Sequence, residues 1–225
     1  MASLHRYPVK SLLGEECPAL ALDARGVVGD RAWAVRTADG GIGSGKATRR
    51  FRAVPGLLDL RAHGTGAVRV ALPDGRELAV DDPALAAAVS AHVGQPVVLA
   101  PEDDVSLFDD GPVSLLGLAS VRAVEAELGG PVDPARFRAN VLLDLPTAYA
   151  EDAWVGRRVQ VGTAVLRVTM TSARCRMVDA ATADAPAQPG VLLATGRAHR
   201  AELGVIAEVV VPGRAAPGDA VRVVG

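Results

Sequence analysis

Apolar and polar positions alternate over short stretches of this chain, and Gly or Pro interrupts the pattern every few residues. Val68, Val70 and Leu72 alternate with smaller or polar residues, the period of two expected for a half-buried strand. Pro73-Asp74-Gly75-Arg76 and then Glu77–Val80 follow, so this stretch reads as a hairpin, and Asp-Gly predicts a type I′ turn. Further strands are predicted at Leu4–Val9, Leu20–Leu22, Ala32–Arg36, Asn140–Leu143, Arg158–Val161, Ala164–Met170, Gly204–Val211 and Ala220–Val224. Three helices interrupt them. Asp81-Asp82-Pro83 is an acidic cap with Pro in the first turn, and it opens a helix through Ala84–His92 that stops at Gly94. Ser114–Leu128 reads as a second helix, capped by Ser114 and ended by Gly129-Gly130, and Gly190–Glu202 as a third.

The helices do not alternate regularly with the strands, which argues against a doubly wound parallel sheet. The pattern points to a mainly β fold with a few inserted helices, built as a closed or nearly closed antiparallel barrel. The 225 residues suffice for one sizeable domain or two small ones, and 49% apolar with 22% charged residues is the balance of a soluble globular protein. Aromatics make up only 3%, so the core must rest on Val, Leu and Ala. A net charge of −2, with no aromatics interleaved among the arginines, argues against a nucleic-acid surface. No apolar run approaches the ~18 residues of a membrane span, and Met1–Pro8 lacks the apolar core of a signal peptide. Two cysteines far apart make no disulfide framework, so a reducing, cytoplasmic setting without membrane attachment is expected.

Three stretches bear on chemistry. Arg174-Cys175-Arg176 places a cysteine between two cations at the end of the predicted hairpin Val159–Met170. Flanking guanidinium groups favour a thiolate, which can act as nucleophile, sulfur carrier or soft-metal ligand. In a regular strand both arginines would point away from the thiol, so the chain must bend there, which Thr171-Ser172-Ala173 permits. Cys17, without a cationic neighbour within four residues, reads as a small buried hydrophobe. Arg136-Phe137-Arg138-Ala139-Asn140, if extended, would set Arg136, Arg138 and Asn140 on one face, suited to a phosphate or polar heterocycle; a solvated face over a buried Phe137 is the competing reading.

Gly40-Gly41-Ile42-Gly43-Ser44-Gly45-Lys46-Ala47 resembles a phosphate-binding loop, but Ala47 replaces the required hydroxyl and Thr48–Pro55 predicts no helix. It reads as a Gly-rich turn, or as a loop whose Lys46 faces some other anion. His5, His63, His92 and His199 lack metal-ligand spacing. Glu102–Asp110 is the most acidic stretch, and Asp179–Pro189 is expected to be a mobile loop.

Six motifs occur in order: Tyr7-Pro8-Val9-Lys10-Ser11, Gly29-Asp30-Arg31-x-Trp33, Gly111-Pro112-Val113-Ser114-Leu115-Leu116, Arg136-Phe137-Arg138-x-Asn140, Asp152-x-Trp154-Val155-Gly156 and Arg174-Cys175. Together they resemble the MOSC family, named for the C-terminal domain of molybdenum cofactor sulfurase. The leading residues resemble its N-terminal β-barrel partner domain. The resemblance implies an N-terminal barrel-like domain over residues 1–100 and a MOSC β-barrel over residues 101–225. It implies a molybdopterin-type molybdenum cofactor, with Cys175 as the metal ligand as in the amidoxime-reducing component. Lys10, Ser11, Arg31, Arg136, Arg138 and Asn140 would contact the pterin and its phosphate, with Ser114, Ser172 and Arg174 lining the same pocket. Two positions depart from the family pattern: Ala139 stands where Pro is frequent, and Thr171-Ser172-Ala173 lacks the usual proline. No Cys-rich cluster follows Cys175, so electrons would come from a separate donor protein. The implied activity is reduction of N-hydroxylated or other N-oxygenated small molecules. A sulfur- or cofactor-carrier role for Cys175, or a metal-free enzyme of specialised metabolism, fits the same motifs.

Overall fold

A computed structural model describes residues 1–224. Its main feature is an eight-stranded sheet that curls into a half-barrel. The strands are β1 (Ser3–Arg6), β2 (Glu15–Glu16), β3 (Val113–Gly117), β4 (Val141–Leu143), β5 (Arg158–Val161), β6 (Ala164–Ala173), β7 (Glu202–Val211) and β8 (Val221–Val224). Their spatial order is β8-β5-β6-β7-β3-β4-β1-β2. All neighbours are antiparallel except β3 and β4, which pair parallel with Leu115 opposite Val141. The fold is mainly β, as the sequence pattern predicts.

β1 lies far from its sequence neighbours. It pairs with β4, Ser3 opposite Leu142 and Leu4 opposite Val141. Leu4, Cys17, Leu20, Leu22 and Val27 then join a core otherwise built from β3 to β7 and Ala215. Cys17 is the small buried hydrophobe expected, and burial pushes its thiol pKa up.

A second core is built from Val9, Leu12 and residues 33–99. A four-stranded sheet holds Val97–Pro101, Trp33–Thr37, Ile42–Ser44 and Phe51–Ala53, and a three-stranded sheet holds Glu77–Ala79, Arg69–Ala71 and Arg61–His63. Between them Val9, Leu12, Val35, Leu57, Leu60 and Val70 are buried against α1 (Pro83–Val93). The Asp82 carboxylate accepts from the Ala84 N–H and Gly94 ends α1 at φ 70°, as its cap signals require.

The hairpin at residues 69–79 forms, but with a different turn. Only Gly75 has positive φ (85°), and its N–H donates to Leu72 O at 3.0 Å. This is a type I turn followed by a left-handed Gly, because the extra residue Pro73 takes the fixed negative φ of the first turn position.

The second helix also differs. α2 is Leu118–Leu128, and Val113–Gly117, expected to be its first turn, is strand β3. Alternating burial of Val113 and Leu115 against the core outweighs the Ser114 cap signal. α3 is Val191–His199 and packs beside α2.

Candidate functional site

A cleft of about 130 Å³ opens where the two cores meet. Its lining comes from stretches far apart in the chain, among them Lys10 and Ser11 after β1, Arg31, Ser44 and Lys46, Asp109–Gly111 before β3, Arg136 to Arg138, and Ser172 to Cys175 at the end of β6. Eight of the nine cofactor-contact residues expected from sequence, and Cys175 with them, line this one cleft.

Asn140 is the exception. It is 1% exposed and does not line the cleft. Its Oδ1 accepts from the Ser114 N–H at 3.1 Å and the Ser114 hydroxyl at 3.0 Å, and its Nδ2 donates to His5 O at 3.2 Å. Asn140 therefore stitches β1, β3 and β4 together where the ladder ends, and it holds Ser114 at the cleft wall.

The Arg136–Asn140 stretch is not extended. Pro134–Phe137 is a 3₁₀ turn capped by the Asp133 carboxylate, and Arg138 ends it in the left-handed region at φ 53°. Phe137 is buried, as either sequence reading requires. Arg136 spends its guanidinium on the loop behind the cleft, donating to Val178 O, Ala180 O and Pro186 O. The Asp179–Pro189 loop, expected to be mobile, is thereby pinned. It is also tied across the molecule by Ala183 N–H to Leu58 O and by an Arg61–Asp184 ion pair.

Arg138 and Arg31 stack on Tyr7, at 4.4 and 4.8 Å from its ring centre. Arg138 Nη1 donates to Leu12 O at 2.7 Å, and Arg31 Nη2 to Arg138 O at 3.2 Å. Asp30, fully buried, accepts from the Tyr7 N–H and from Arg31 Nη1. Burial and the neighbouring Arg31 bring the Arg138 pKa down to about 10. Two cations forced together over one aromatic ring make a place for a negative charge.

Ser11, Arg31 and Arg138 all carry positive φ (67°, 47° and 53°). Such conformations cost non-glycine residues about 1 kcal/mol or more each. Three of them on one cleft mean that the surrounding packing holds strain where side chains must converge.

The lysines stand at the other side. Lys10 is 2% exposed, lies 4.3 Å from the Phe51 ring centre, and pairs with Asp109 at 2.9 Å. Burial lowers its pKa to about 8, against the pull of Asp109. Lys46 pairs with the same carboxylate at 3.2 Å. The Gly-rich stretch is thus a turn and the strand Ile42–Ser44, and its lysine faces an anion, the third reading of that motif. Gly45 lies so close to Met177 that a Cβ would meet the sulfur at 2.3 Å, which lets Lys46 approach the cysteine loop.

Cys175 sits at the lip, half-buried, where β6 gives way to the 3₁₀ turn Arg176–Asp179. Three irregularities in the β6–β7 register bend the strand toward this point. The two flanking arginines have different fates. Arg176 is exposed. Arg174 turns inward, donating through Nε to Leu203 O at 2.9 Å and through Nη1 to Phe137 O at 2.8 Å. Burial lowers the Arg174 pKa to about 10. Of the two arginines flanking the thiol only Arg174 turns inward, and it also fixes the loop.

Sequence reasoning missed Asp109, Asp110 and Ser44 in the lining and Tyr7 beneath it. An acidic run normally marks a solvated surface, so only the pairing of Asp109 with two distant lysines reveals its place.

Family models give the whole arrangement a relationship. The MOSC domain matches residues 102–222, and the MOSC N-terminal beta barrel domain matches residues 1–105. The chain belongs to the MOSC family. MOSC domains as a class are associated with molybdenum-cofactor binding or sulfurase-type function. Among solved structures, the YuaD protein from Bacillus subtilis shares 16% identity with this MOSC chain over 97% of its length and 91% of the other, with a TM-score of 0.53. That likeness shows the fold. YiiM from Geobacillus stearothermophilus is 20% identical over 51% of this chain and 54% of that one, with a TM-score of 0.41. A search of curated proteins finds no match. No helix among the described residues is long and apolar enough to cross a membrane.

Proposed function

We propose that this MOSC chain is a molybdenum-cofactor-dependent oxidoreductase that reduces N-hydroxylated or other N-oxygenated small molecules, with Cys175 as the metal's protein ligand. The observation that carries this reading is a half-buried thiol at the lip of a cleft whose interior is cationic. The donor set fits a pterin-held metal. Among the described residues no three His, Cys, Asp or Glu side chains gather to hold a metal. Cys175 thus offers a single soft ligand, and the others must come with the bound group. Lys10, Ser11 and Arg138 would hold the group's phosphate, Arg31 and Ser114 would line its path, and Arg174 and Ser172 would keep the Cys175 loop in position.

A molybdopterin-type cofactor, when bound, supplies a two-electron redox centre able to take up an oxygen atom. Converting N–OH to N–H consumes two electrons and two protons and releases water. The electrons come from a separate donor protein in this reading, because the two cysteines, one buried and one at the cleft, leave no ligand set for an iron–sulfur cluster.

Metal analysis with pterin fluorescence tests the reading on protein made in a cofactor-sufficient host. Molybdenum and pterin should co-purify with the wild type, and the Cys175→Ala variant should stay folded and lose the metal. Wild-type protein carrying neither would overturn the reading. Turnover of an amidoxime with an artificial electron donor tests the reaction itself. A protein that holds the cofactor and never turns over would point to the carrier role instead.

A further inference from the structure

Asp109 touches both lysines of the cleft, Oδ2 at 2.9 Å from Lys10 Nζ and Oδ1 at 3.2 Å from Lys46 Nζ. The segment behind it is anchored. Leu107 is fully buried and its N–H donates to Glu102 at 2.8 Å, Glu102 pairs with Arg25, and Phe108 O accepts from Arg50 at 2.8 Å. The side chain of Asp109 reaches the cleft and remains 44% exposed at its mouth. The Lys10 side chain is 3% exposed and has no other carboxylate within ion-pair distance among the described residues.

A buried ammonium without a counter-charge is costly. The Asp109 carboxylate is therefore what holds Lys10 charged and in place when no ligand is bound. A ligand anion that seeks the same lysines must take the place of that carboxylate.

We propose that Asp109 is an internal counter-anion displaced by a ligand's phosphate, an exchange that a phosphomonoester dianion drives and a phosphodiester monoanion does not. Replacing one single negative charge by another leaves Lys10 and Lys46 no better neutralised. A dianion brings a second charge to two ammonium groups, with the Arg138 guanidinium facing the same cleft. The released carboxylate is already at the mouth, so it turns into solvent while Leu107 and Phe108 stay anchored. The inference rests on the anion-binding reading of the cleft and not on the metal.

Methyl phosphate and dimethyl phosphate are suitable probes, titrated by NMR into the full chain, confirmed free of pterin by fluorescence. At about pH 7 the first is mainly a dianion and the second a monoanion. Wild-type protein should prefer methyl phosphate. Asp109→Asn should bind both more tightly, each by a similar factor of at least about tenfold, because both esters displace the same carboxylate. Asp104→Asn removes the same charge from the same acidic segment outside the cleft and should behave as wild type. The proposal is overturned if Asp109→Asn binds dimethyl phosphate no better than wild type, if it binds neither ester, or if Asp104→Asn gives the same change. A measurement on wild type alone covers the case of an unfolded variant. The carboxyl carbon of Asp109, which Lys10 and Lys46 hold to a low pKa, should titrate at higher pH once methyl phosphate is bound. An unmoved midpoint would mean the carboxylate stays on its lysines.

Discussion

Lys10 is a cleft side chain whose charge responds to pH in an accessible range. Burial brings its pKa to about 8, below the ordinary 10.5 of a lysine. The folded protein thus gives up this proton before the unfolded chain does. From about pH 8 to 10.5 the unfolded state binds more protons, so Lys10 makes stability rise with pH over that window, and the gain is lost again as pH falls through 8. Anion binding should follow the opposite course. Above pH 8 the ammonium is lost, and affinity for methyl phosphate should fall by up to about tenfold per pH unit. Titrations from pH 6 to about pH 10 on wild type and Lys10→Met should show this dependence in the first and not in the second.

Arg174 makes a separate prediction. Arg174→Ala leaves Leu203 O and Phe137 O without their guanidinium donors, which should cost about 2 kcal/mol in chemical denaturation. The inward turn of Arg174 was legible only through a motif, because spacing alone gives both arginines the same weight. The role of Asn140 was not legible. Its partners, Ser114 and His5, lie 26 and 135 residues away.

The helices show which local signals sufficed. Asp82-Pro83 starts α1 and was readable. The same signal, Asp133-Pro134, starts the 3₁₀ turn that shapes the cleft, and reading it would have ruled out an extended Arg136–Asn140. α2 starts at a residue with no side-chain cap, Gly117. Glu151, fully buried and remote in sequence, accepts from the Gly117 N–H at 2.9 Å and the Ser120 hydroxyl at 2.8 Å in place of a local cap. Glu151→Ala should therefore destabilise the protein by about 2–3 kcal/mol, measured by urea unfolding, since it leaves the Gly117 N–H and the Ser120 hydroxyl without their buried acceptor. α1 and α2 end on glycines at φ 70° and 78°, whereas α3 ends on Arg200 at φ 52°. Arg200 is exposed, and its contact with Glu202 is 4.0 Å long. Arg200→Gly should raise stability by about 1 kcal/mol, read as a higher melting temperature, because it removes the left-handed penalty at little cost.

For the molecule as a whole, strand content and hairpins were legible from alternation, but the partners of the strands were not. Nothing in Ser3–Arg6 specifies pairing with a strand 135 or more residues later. The cleft lies between the two cores, so it depends on that pairing. Arg136 should act at the same scale: Arg136→Ala frees three carbonyls of residues 178–186. Hydrogen exchange in that loop should then rise, and Arg136→Lys, with a single-point donor, should not restore it.

The placement of β1 also has a consequence in time. A ribosome releases residues 3–6 early, but β4, their partner strand at 141–143, emerges only after the whole first half of the chain has been made. Until then Leu4, Leu20 and Leu22 have no core to enter. The first half cannot complete its folding while it is being synthesised, and for that interval its leading strand is an unpaired edge open to chaperones or to a neighbouring nascent chain.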